Sequence, residues 1–486
     1  MSRVERVALA PDLEISRVLV GLWQIADMER DGVPVDPEAT ADALSAYVDR
    51  GFGTFDMADH YGTAEEVAGV LRSRPGNAER VLLLTKWVPR PGPVGREDVQ
   101  AAVDRALARL RSDAVDLLQF HAWSYSDPSW LDAVFYLQEM TLEGRVRHLG
   151  VTNFDTDHLR MLLHSGVDVV SNQVCYSLVD RRPGRAMASL CEDHGVRLLA
   201  YGTLAGGFLT DRWMGAPEPA VDELPTWSLM KYKRFIEAAG GWDVFQGVLD
   251  AAAAVARRHD VSIANVATRW VLDRPGVGGV IIGARPGHSD HIEDNARLFS
   301  FRLDDADRDT LEPALKAMGL PPGEPGDEYR RPPFLTAAGD LSHHFDTFPA
   351  PYPVVEGEDG RYRALSGTVW EEMAGFSRAT RVGDRILVSG TTATHGTRVV
   401  GGRDAAAQTV FCLDKIEGAI RSLGGSLEDI VRTRVYIRSP DDQEAVSRVH
   451  GRRLGHVGPA NTLVQAGIIG DAYLVEIEAE AVVVPR

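Results

Sequence analysis

PEATADALSAYVDRGFGTFDMADHYG, residues 37 to 62, contains the unit from which the larger part of the chain is built. In its first half Ala, Leu and Val recur at three- and four-residue steps, the spacing of an amphipathic helix. The stretch GTFDMA then reads as a short apolar strand, and DHYG turns polar as a loop does. Helix, turn, strand and polar loop follow one another within a single short segment.

The same alternation runs from residue 18 to 285. Its apolar runs are VLVGLW, GTFDMA, VLLLTKWV, VDLLQFHAW, VRHLGVTN, VVSNQVCY, VRLLAYGTL and GVGGVIIGA, eight in number. Between them lie helical stretches such as EDVQAAVDRALARLR and SIANVATRWVLDR. Strands that are apolar throughout and alternate with helices belong to a parallel sheet buried on both faces, and eight such units in about 270 residues is the size of a (β/α)8 TIM barrel. A doubly wound open sheet is the alternative; the missing GxGxxG after the first strand weighs against it.

The pattern breaks at residues 205 to 241, a long Gly/Pro-rich insertion expected over the active-site face. A capping helix in LDDADRDTLEPALKAMG closes the barrel, and LPPGEPGDEYRRPPF marks a boundary. The expected division is a barrel over 1–318, a Pro/Gly-rich linker over 319–364 and a second domain over 365–486. That last part, with ILVSGTT, AAAQTVFCLDKIEGAIRSLG, IVRTRVYI, NTLVQAG and LVEIEAEAVVV, reads as a small α+β domain of four to six strands and two helices.

Charge limits the partners. With 52 basic against 70 acidic residues and a formal charge of −18, the chain lacks the basic surface that nucleic acid or an anionic membrane requires. Its three cysteines, Cys175, Cys191 and Cys412, show no ligand spacing, so neither a disulfide framework nor a metal site is expected. The N-terminus has no signal-peptide core and no run of about 18 apolar residues occurs, so the expectation is a soluble, cytoplasmic protein.

In a barrel, the C-terminal strand ends share one face. Asp56 lies near the end of strand two with Tyr61 just beyond, Lys86 ends strand three in TKW, and His121 ends strand four in QFHAW. A phenol titrates near ~10 and is a poor acid at neutral pH, but a neighbouring ammonium stabilises its phenolate. An aspartate keeps the lysine charged and oriented, and a histidine beside the phenol can share a substrate's carbonyl oxygen. Together they make a proton donor aimed at a developing alkoxide, an arrangement worth roughly 10² to 10⁴ in rate. Asp59 and His60 read as solvated loop residues.

Residues 1 to about 318 resemble the aldo-keto reductases: FDMADHYG, TKW, QFHAW, GVTNF, NQVCYS, AYGTLAGGFL and VIIGAR stand in that family's order. The resemblance implies a catalytic tetrad of Asp56, Tyr61, Lys86 and His121 and an extended NAD(P)H in the barrel mouth. It places the nicotinamide on Tyr201, its carboxamide at Thr152, Asn153 and Gln173, and the phosphate end at Gly202, Leu204, Gly283, Ala284, Arg285 and Asn295. NADPH is the family expectation, with NADH as the alternative. Between Arg285 and Asn295 the chain has PGHSDHIED, two residues longer than the commoner pattern, with His291 toward the adenine end. Trp23, Trp87 and Trp123, at the ends of strands one, three and four, are expected to line an apolar mouth for a bulky or aromatic carbonyl substrate.

Residues 365 to 486 resemble the Rid/YjgF family of reactive imine and enamine deaminases, through GFSRATRVGDRILVSGTT, AQTVFCLDKIEGAI, DIVRTRVYI, GPANTLVQ and LVEIEAEAV. The resemblance implies a chorismate-mutase-like fold, a homotrimer with clefts between subunits, a glutamate at Glu476 and a carboxylate-binding arginine where this chain has Asn461. Three functions follow: a carbonyl reductase whose tail oligomerises it or binds a ligand, a bifunctional enzyme whose tail hydrolyses or rearranges an imine or enamine before the barrel reduces the product, and a cofactor-sensing binding protein. The complete tetrad disfavours the third, and Asn461 favours the first over the second.

Overall fold

The computed structural model describes residues 3–30, 32–287, 291–330 and 348–484. Two short strands, β1 (Arg6–Ala10) and β2 (Leu13–Ser16), pair antiparallel at the N-terminus. Then come β3 (Val18–Gly21), α1 (Pro37–Arg50), β4 (Thr54–Asp56), α2 (Ala64–Ser73), β5 (Leu82–Trp87), α3 (Arg96–Leu110), β6 (Val115–Phe120), α4 (Ser129–Leu142), β7 (Val146–Thr152), α5 (Thr156–His164), β8 (Val169–Cys175), α6 (Ala186–His194) and β9 (Arg197–Tyr201). The helices α7 (Trp227–Ala239), α8 (Trp242–His259) and α9 (Ile263–Leu272) precede β10 (Val277–Gly283), and α10 (Ile292–Arg297) and α11 (Asp305–Ala317) follow it.

Strands β3 to β10 are parallel and close into an eight-stranded barrel, β10 pairing with both β3 and β9. Local chemistry sets the unit read from residues 37–62. Asp36 caps α1 by accepting from the Ala39 amide, Pro37 opens it, and Gly51 ends it at φ +103°. The one expected loop that is more than a loop is 205–241, which contains α7; Thr226 caps that helix by accepting from Leu229 N.

The β1–β2 hairpin, which the strand pattern does not anticipate, plugs the N-terminal end of the barrel. Leu9, Leu13 and Ile15 pack on Leu19, Leu84, Leu117 and Leu199 from the barrel interior. At about 1.5–3 kcal/mol per buried side chain, this seal is a sizeable part of the barrel's stability. The opposite end stays open.

Segment 319–364 does not behave as a uniform linker. Its first part folds back over the barrel: Arg182 donates to the carbonyls of Pro322 and Glu324, and a short helix, α12 (Asp327–Arg330), follows. Residues 331–347 lie outside the described residues. Two strands, β11 (Val354–Glu356) and β12 (Tyr362–Ala364), then join the second domain's sheet.

That domain continues with α13 (Val369–Ala374), β13 (Ala379–Val382), β14 (Arg385–Thr392), the small hairpin β15 (Thr394–His395) and β16 (Arg398–Val399), α14 (Ala405–Ser422), β17 (Ile430–Ile437), α15 (Gln443–Leu454), β18 (Ala460–Gln465) and β19 (Val475–Val482). Its sheet has seven strands in the order β11-β12-β13-β14-β19-β17-β18, with only β17 and β18 parallel. Residues 365–486 give five of these strands, within the expected four to six, and β11 and β12 add two more from the stretch assigned to the linker.

The two domains are docked through side chains. His158 of α5 stacks on Tyr125, with ring centroids 3.4 Å apart, and places its ring nitrogens 2.7 Å from Asp155 Oδ2 and 2.9 Å from Asp414 Oδ2 of α14. Burial opposes charge on this ring, but the two carboxylates outweigh it and hold the imidazolium up to about 9. Arg160–Asp404 and Arg452–Asp157 pairs flank the contact.

Candidate active site

At the open end of the barrel lies a cavity of about 620 Å³. Asp56, Tyr61, Lys86 and His121 all line it, brought together by the ends of β4, β5 and β6 and the loop after β4. Lys86 Nζ donates to Asp56 Oδ2 at 2.7 Å and to the Met57 carbonyl at 2.8 Å, and lies 5.3 Å from the centre of the Tyr61 ring. Burial draws the lysine's pKa below its ordinary value, against the opposing pull of Asp56.

Asp56 is fixed from its other oxygen. Oδ1 accepts from Gln119 Nε2 at 3.2 Å and from Gln173 Nε2 at 2.7 Å. Gln173 is therefore bonded to the tetrad aspartate as well as lining the cavity. Gln119 went unnoticed in the sequence, although it precedes His121 by one alternation of the same strand and so shares its inward face.

His121 is fully buried. Its Nδ1 stands 3.3 Å from the Thr152 carbonyl, which can only accept, while Nε2 has no hydrogen-bond partner among the described residues. Burial, and next the Arg330 guanidinium, push its pKa well below the ordinary histidine value, so the ring is neutral at physiological pH. With its N–H on Nδ1 toward the Thr152 carbonyl, the neutral ring presents Nε2 as an acceptor and has no acidic proton to give at that pH. The phenol of Tyr61, packed edge-on against Trp23 and His60, is the remaining donor. His60, read from the sequence as a solvated loop residue, lines the cavity and hydrogen-bonds Asp59 at 3.0 Å.

The residues expected to hold a dinucleotide form one side of the same cavity. Thr152, Asn153, Gln173, Tyr201, Gly202, Leu204, Gly283 and Arg285 line it; Ala284 and Asn295 do not, Ala284 being buried behind the wall and Asn295 half-buried in α10. Asn153 adopts φ +59°, a left-handed conformation that asparagine tolerates, and its Oδ1 accepts from Tyr201 Oη at 2.7 Å. Gly202, at φ +70°, admits no side chain: a Cβ would stand 2.0 Å from Tyr232 Oη. At the rim Arg285 Nε donates to Gln24 Oε1 at 2.9 Å, and the Trp23 and Trp227 rings approach across the trough at 6.5 Å. His291 is exposed at the same rim; residues 288–290 of the longer PGHSDHIED segment lie outside the described residues.

Of the three tryptophans expected at the mouth, Trp23 and Trp123 line the cavity. Trp87 does not: it is buried, with its ring 5.8 Å from that of Phe120. Lys86 points into the barrel, and its neighbour on a strand must point outward.

Sequence reasoning missed what α7 and α12 contribute. Trp227, Lys231 and Tyr232 line the cavity from α7, and Tyr329 enters it from α12, with its ring 5.5 Å from that of His121. Arg330 donates from Nε to the Ala122 carbonyl and from Nη1 to the Asn153 carbonyl. Gly326, at φ +90°, passes so close that a Cβ would meet the Asn153 carbonyl oxygen at 2.0 Å. Glu328 is buried against Arg182, which also holds Asp180. No sequence periodicity marks a four-residue helix inside a Pro/Gly-rich stretch.

The second domain is arranged differently. Asn461 donates to Thr433 Oγ1 at 2.9 Å and is exposed at the start of β18. Glu476 is half-buried beside Gly390; burial raises its pKa against the pull of Arg378. In register, Asn461 lies beside Thr433 and Glu476 beside Tyr436 of the same β17 strand. An odd separation along β17 puts the two side chains on opposite faces of the sheet, so one chain does not bring them together. Among the described residues no group of three or more His, Cys, Asp or Glu side chains could hold a metal ion, and no helix is long and apolar enough to cross a membrane.

Two family models match separate parts of the chain. The model of the aldo/keto reductase family matches residues 17–316, and that of the endoribonuclease L-PSP family matches residues 369–483. The aldo-keto reductase YhdN of Bacillus subtilis is 25% identical over 334 residues, covering 66% of this chain and 96% of its own. An uncharacterized protein of Streptomyces coelicolor is 40% identical over 120 residues, covering 24% of this chain and 90% of its own. The solved glycerol dehydrogenase of Gluconobacter oxydans, 23% identical, superposes with a TM-score of 0.53 over 66% of this chain and 97% of its own, a likeness of fold. The chain belongs to the aldo/keto reductase family and carries behind its barrel a second domain of the L-PSP/YjgF family.

Proposed function

We propose that the barrel is an NAD(P)H-dependent reductase that converts a small-molecule carbonyl to an alcohol, with Tyr61 as proton donor. The observation that carries the reading is the buried Lys86–Asp56 pair set behind Tyr61 in the wall of a cavity of about 620 Å³. The residues present fit a dinucleotide: the Tyr201 ring and Asn153 for a nicotinamide, and Arg285 at the rim for a phosphate. Such a cofactor supplies the hydride. The chain's own part is to receive the carbonyl oxygen at the Tyr61 hydroxyl, beside the His121 ring, to exclude water with Trp23, Trp123 and Trp227, and to give up the Tyr61 proton while the Lys86 ammonium stabilises the phenolate left behind.

Arg285 supports NADPH as the preferred cofactor. The uncovered face of the second domain's sheet, where Leu387 and Val464 are 45% and 41% exposed, supports a role for the tail in self-association, which we infer to be trimeric. The uncharged Asn461 amide, bonded to Thr433 Oγ1 where the resemblance implies an arginine, favours this over imine hydrolysis by the tail. The buried, unpaired cysteines fit a cytoplasmic setting. The test is binding of NADPH and NADH by fluorescence, then cofactor oxidation with aldehydes and ketones. Turnover abolished in Tyr61→Phe with cofactor affinity retained is the expected result; equal turnover in the variant overturns the assignment.

A further inference from the structure

The cavity contains a second lysine–tyrosine couple. Lys231 Nζ, in α7, donates to Tyr329 Oη at 2.6 Å; Tyr329 Oη stands 3.3 Å from Tyr201 Oη; and Tyr201 Oη donates to Asn153 Oδ1 at 2.7 Å. The two ends fix the direction. An ammonium only donates and an amide oxygen only accepts, so protons point one way along the chain, from Lys231 through Tyr329 and Tyr201 to Asn153. The longest link, between the two phenols, is the one an incoming oxygen atom can best replace.

Position makes this couple relevant to substrate. Lys231 is 7% exposed, faces the rings of Tyr201 and Tyr329 at 5.1 and 4.7 Å, and is near the buried Glu328 carboxylate. The charge is thus accommodated inside the cavity. Tyr329 presents its ring edge-on to His121 at 5.5 Å and to Trp123 at 6.4 Å, whereas Tyr61 packs with Trp23. Two polarised phenols therefore face one cavity, one beside Lys86 and one beside Lys231.

Resting on the reductase reading, we propose that Lys231 and Tyr329 form a recognition subsite that hydrogen-bonds a second oxygen of the substrate, carried on the carbon next to the reacting carbonyl. The preferred substrates are then 2-hydroxy or 2-oxo carbonyl compounds rather than plain aldehydes. The rings of His121 and Tyr329 lie with centroids 5.5 Å apart, so a carbonyl at Tyr61 beside His121 and an oxygen held at Tyr329 fall within the reach of one small molecule, and the shortest such molecule carries them on neighbouring carbons. A site that hydrogen-bonds a substrate hydroxyl discriminates against the analogue lacking it, because its own polar group is then left unpaired.

Hydroxyacetaldehyde and propanal are near-isosteric and differ by an OH in place of a CH₃, so their ratio of kcat/KM isolates this contact. The full-length protein is expected to favour hydroxyacetaldehyde, and Tyr329→Phe, which keeps the ring, to lower the ratio about tenfold, chiefly through KM. Lys231→Met is expected to lower it in the same direction. An unchanged ratio in Tyr329→Phe, including the case in which both aldehydes lose activity alike, overturns the proposal and leaves Tyr329 a structural residue. Where the unsubstituted protein reduces neither these two nor any other aldehyde or ketone, the reductase reading fails on its own. Without turnover of these two, the subsite is judged by tryptophan-fluorescence titration with 1,2-ethanediol against 1-propanol: a preference for the diol that Tyr329→Phe abolishes upholds it, and equal affinity overturns it.

Discussion

The barrel mouth and the second domain's sheet solve the problem of gathering polar side chains in opposite ways. In the barrel, residues far apart in sequence converge because parallel strands end on one face; Asp56, Lys86 and His121 come from three successive strands and line one cavity. In the second domain, Asn461 and Glu476 are close in sequence and sit on β18 and β19, strands that flank β17, yet strand parity sends them to opposite faces. Closeness along a chain is thus a poor guide to a site in a sheet, and the position on the pleat is a better one. Within a single chain the barrel's polar side chains are therefore gathered, whereas Asn461 and Glu476 are not.

The largest effect that would break this contrast is at Tyr61. Tyr61→Phe is expected to lower kcat by roughly 10² to 10⁴ with cofactor affinity unchanged, measured by steady-state kinetics beside fluorescence titration. A smaller loss would mean that the barrel's converging residues do not act as a unit.

Next is the joint between the two regions. His158→Ala leaves Asp155 and Asp414 facing each other in the interior and is expected to cost about 3–5 kcal/mol, read by denaturant unfolding. The same ring gives a pH dependence. Its pKa in the folded chain, about 9, exceeds the ordinary histidine value, so its stabilising contribution is complete below about pH 6.5 and is lost as pH rises through about 9. The melting temperature is expected to fall across that interval, and less so in His158→Asn.

Smaller still, Arg285→Ala is expected to weaken NADPH binding about tenfold and NADH binding much less, since only the former carries the extra phosphate. Equal weakening of both would assign Arg285 to the shared pyrophosphate. The least effect is at Glu476: Glu476→Gln is expected to leave carbonyl reduction unchanged. A fall in barrel activity would show that the second domain's face reaches the first site.

Legibility followed the same physical division. The eight barrel strands, and the gathering of Asp56, Tyr61, Lys86 and His121 in one cavity, could be read because a doubly buried strand is apolar throughout and its polar C-terminal residues stand out against it. Trp87 was misplaced for want of one step of alternation from Lys86. The hairpin at Arg6–Ser16 and the α12 segment went unread for a different reason: each gains its position from tertiary packing, and neither has a periodicity of its own long enough to register. GEPGDEYRR announces an irregular chain, but composition does not say where an irregular chain packs.

The exit from the barrel crosses its own mouth. Gly326 lies against the Asn153 backbone, Tyr329 enters the cavity, and Arg330 ties down the carbonyls of Ala122 and Asn153. The two modules are consequently not interchangeable cassettes on a leash. A graft that joins another partner to this barrel has to begin after Arg330, because cutting at the last barrel helix would take away part of the cavity wall.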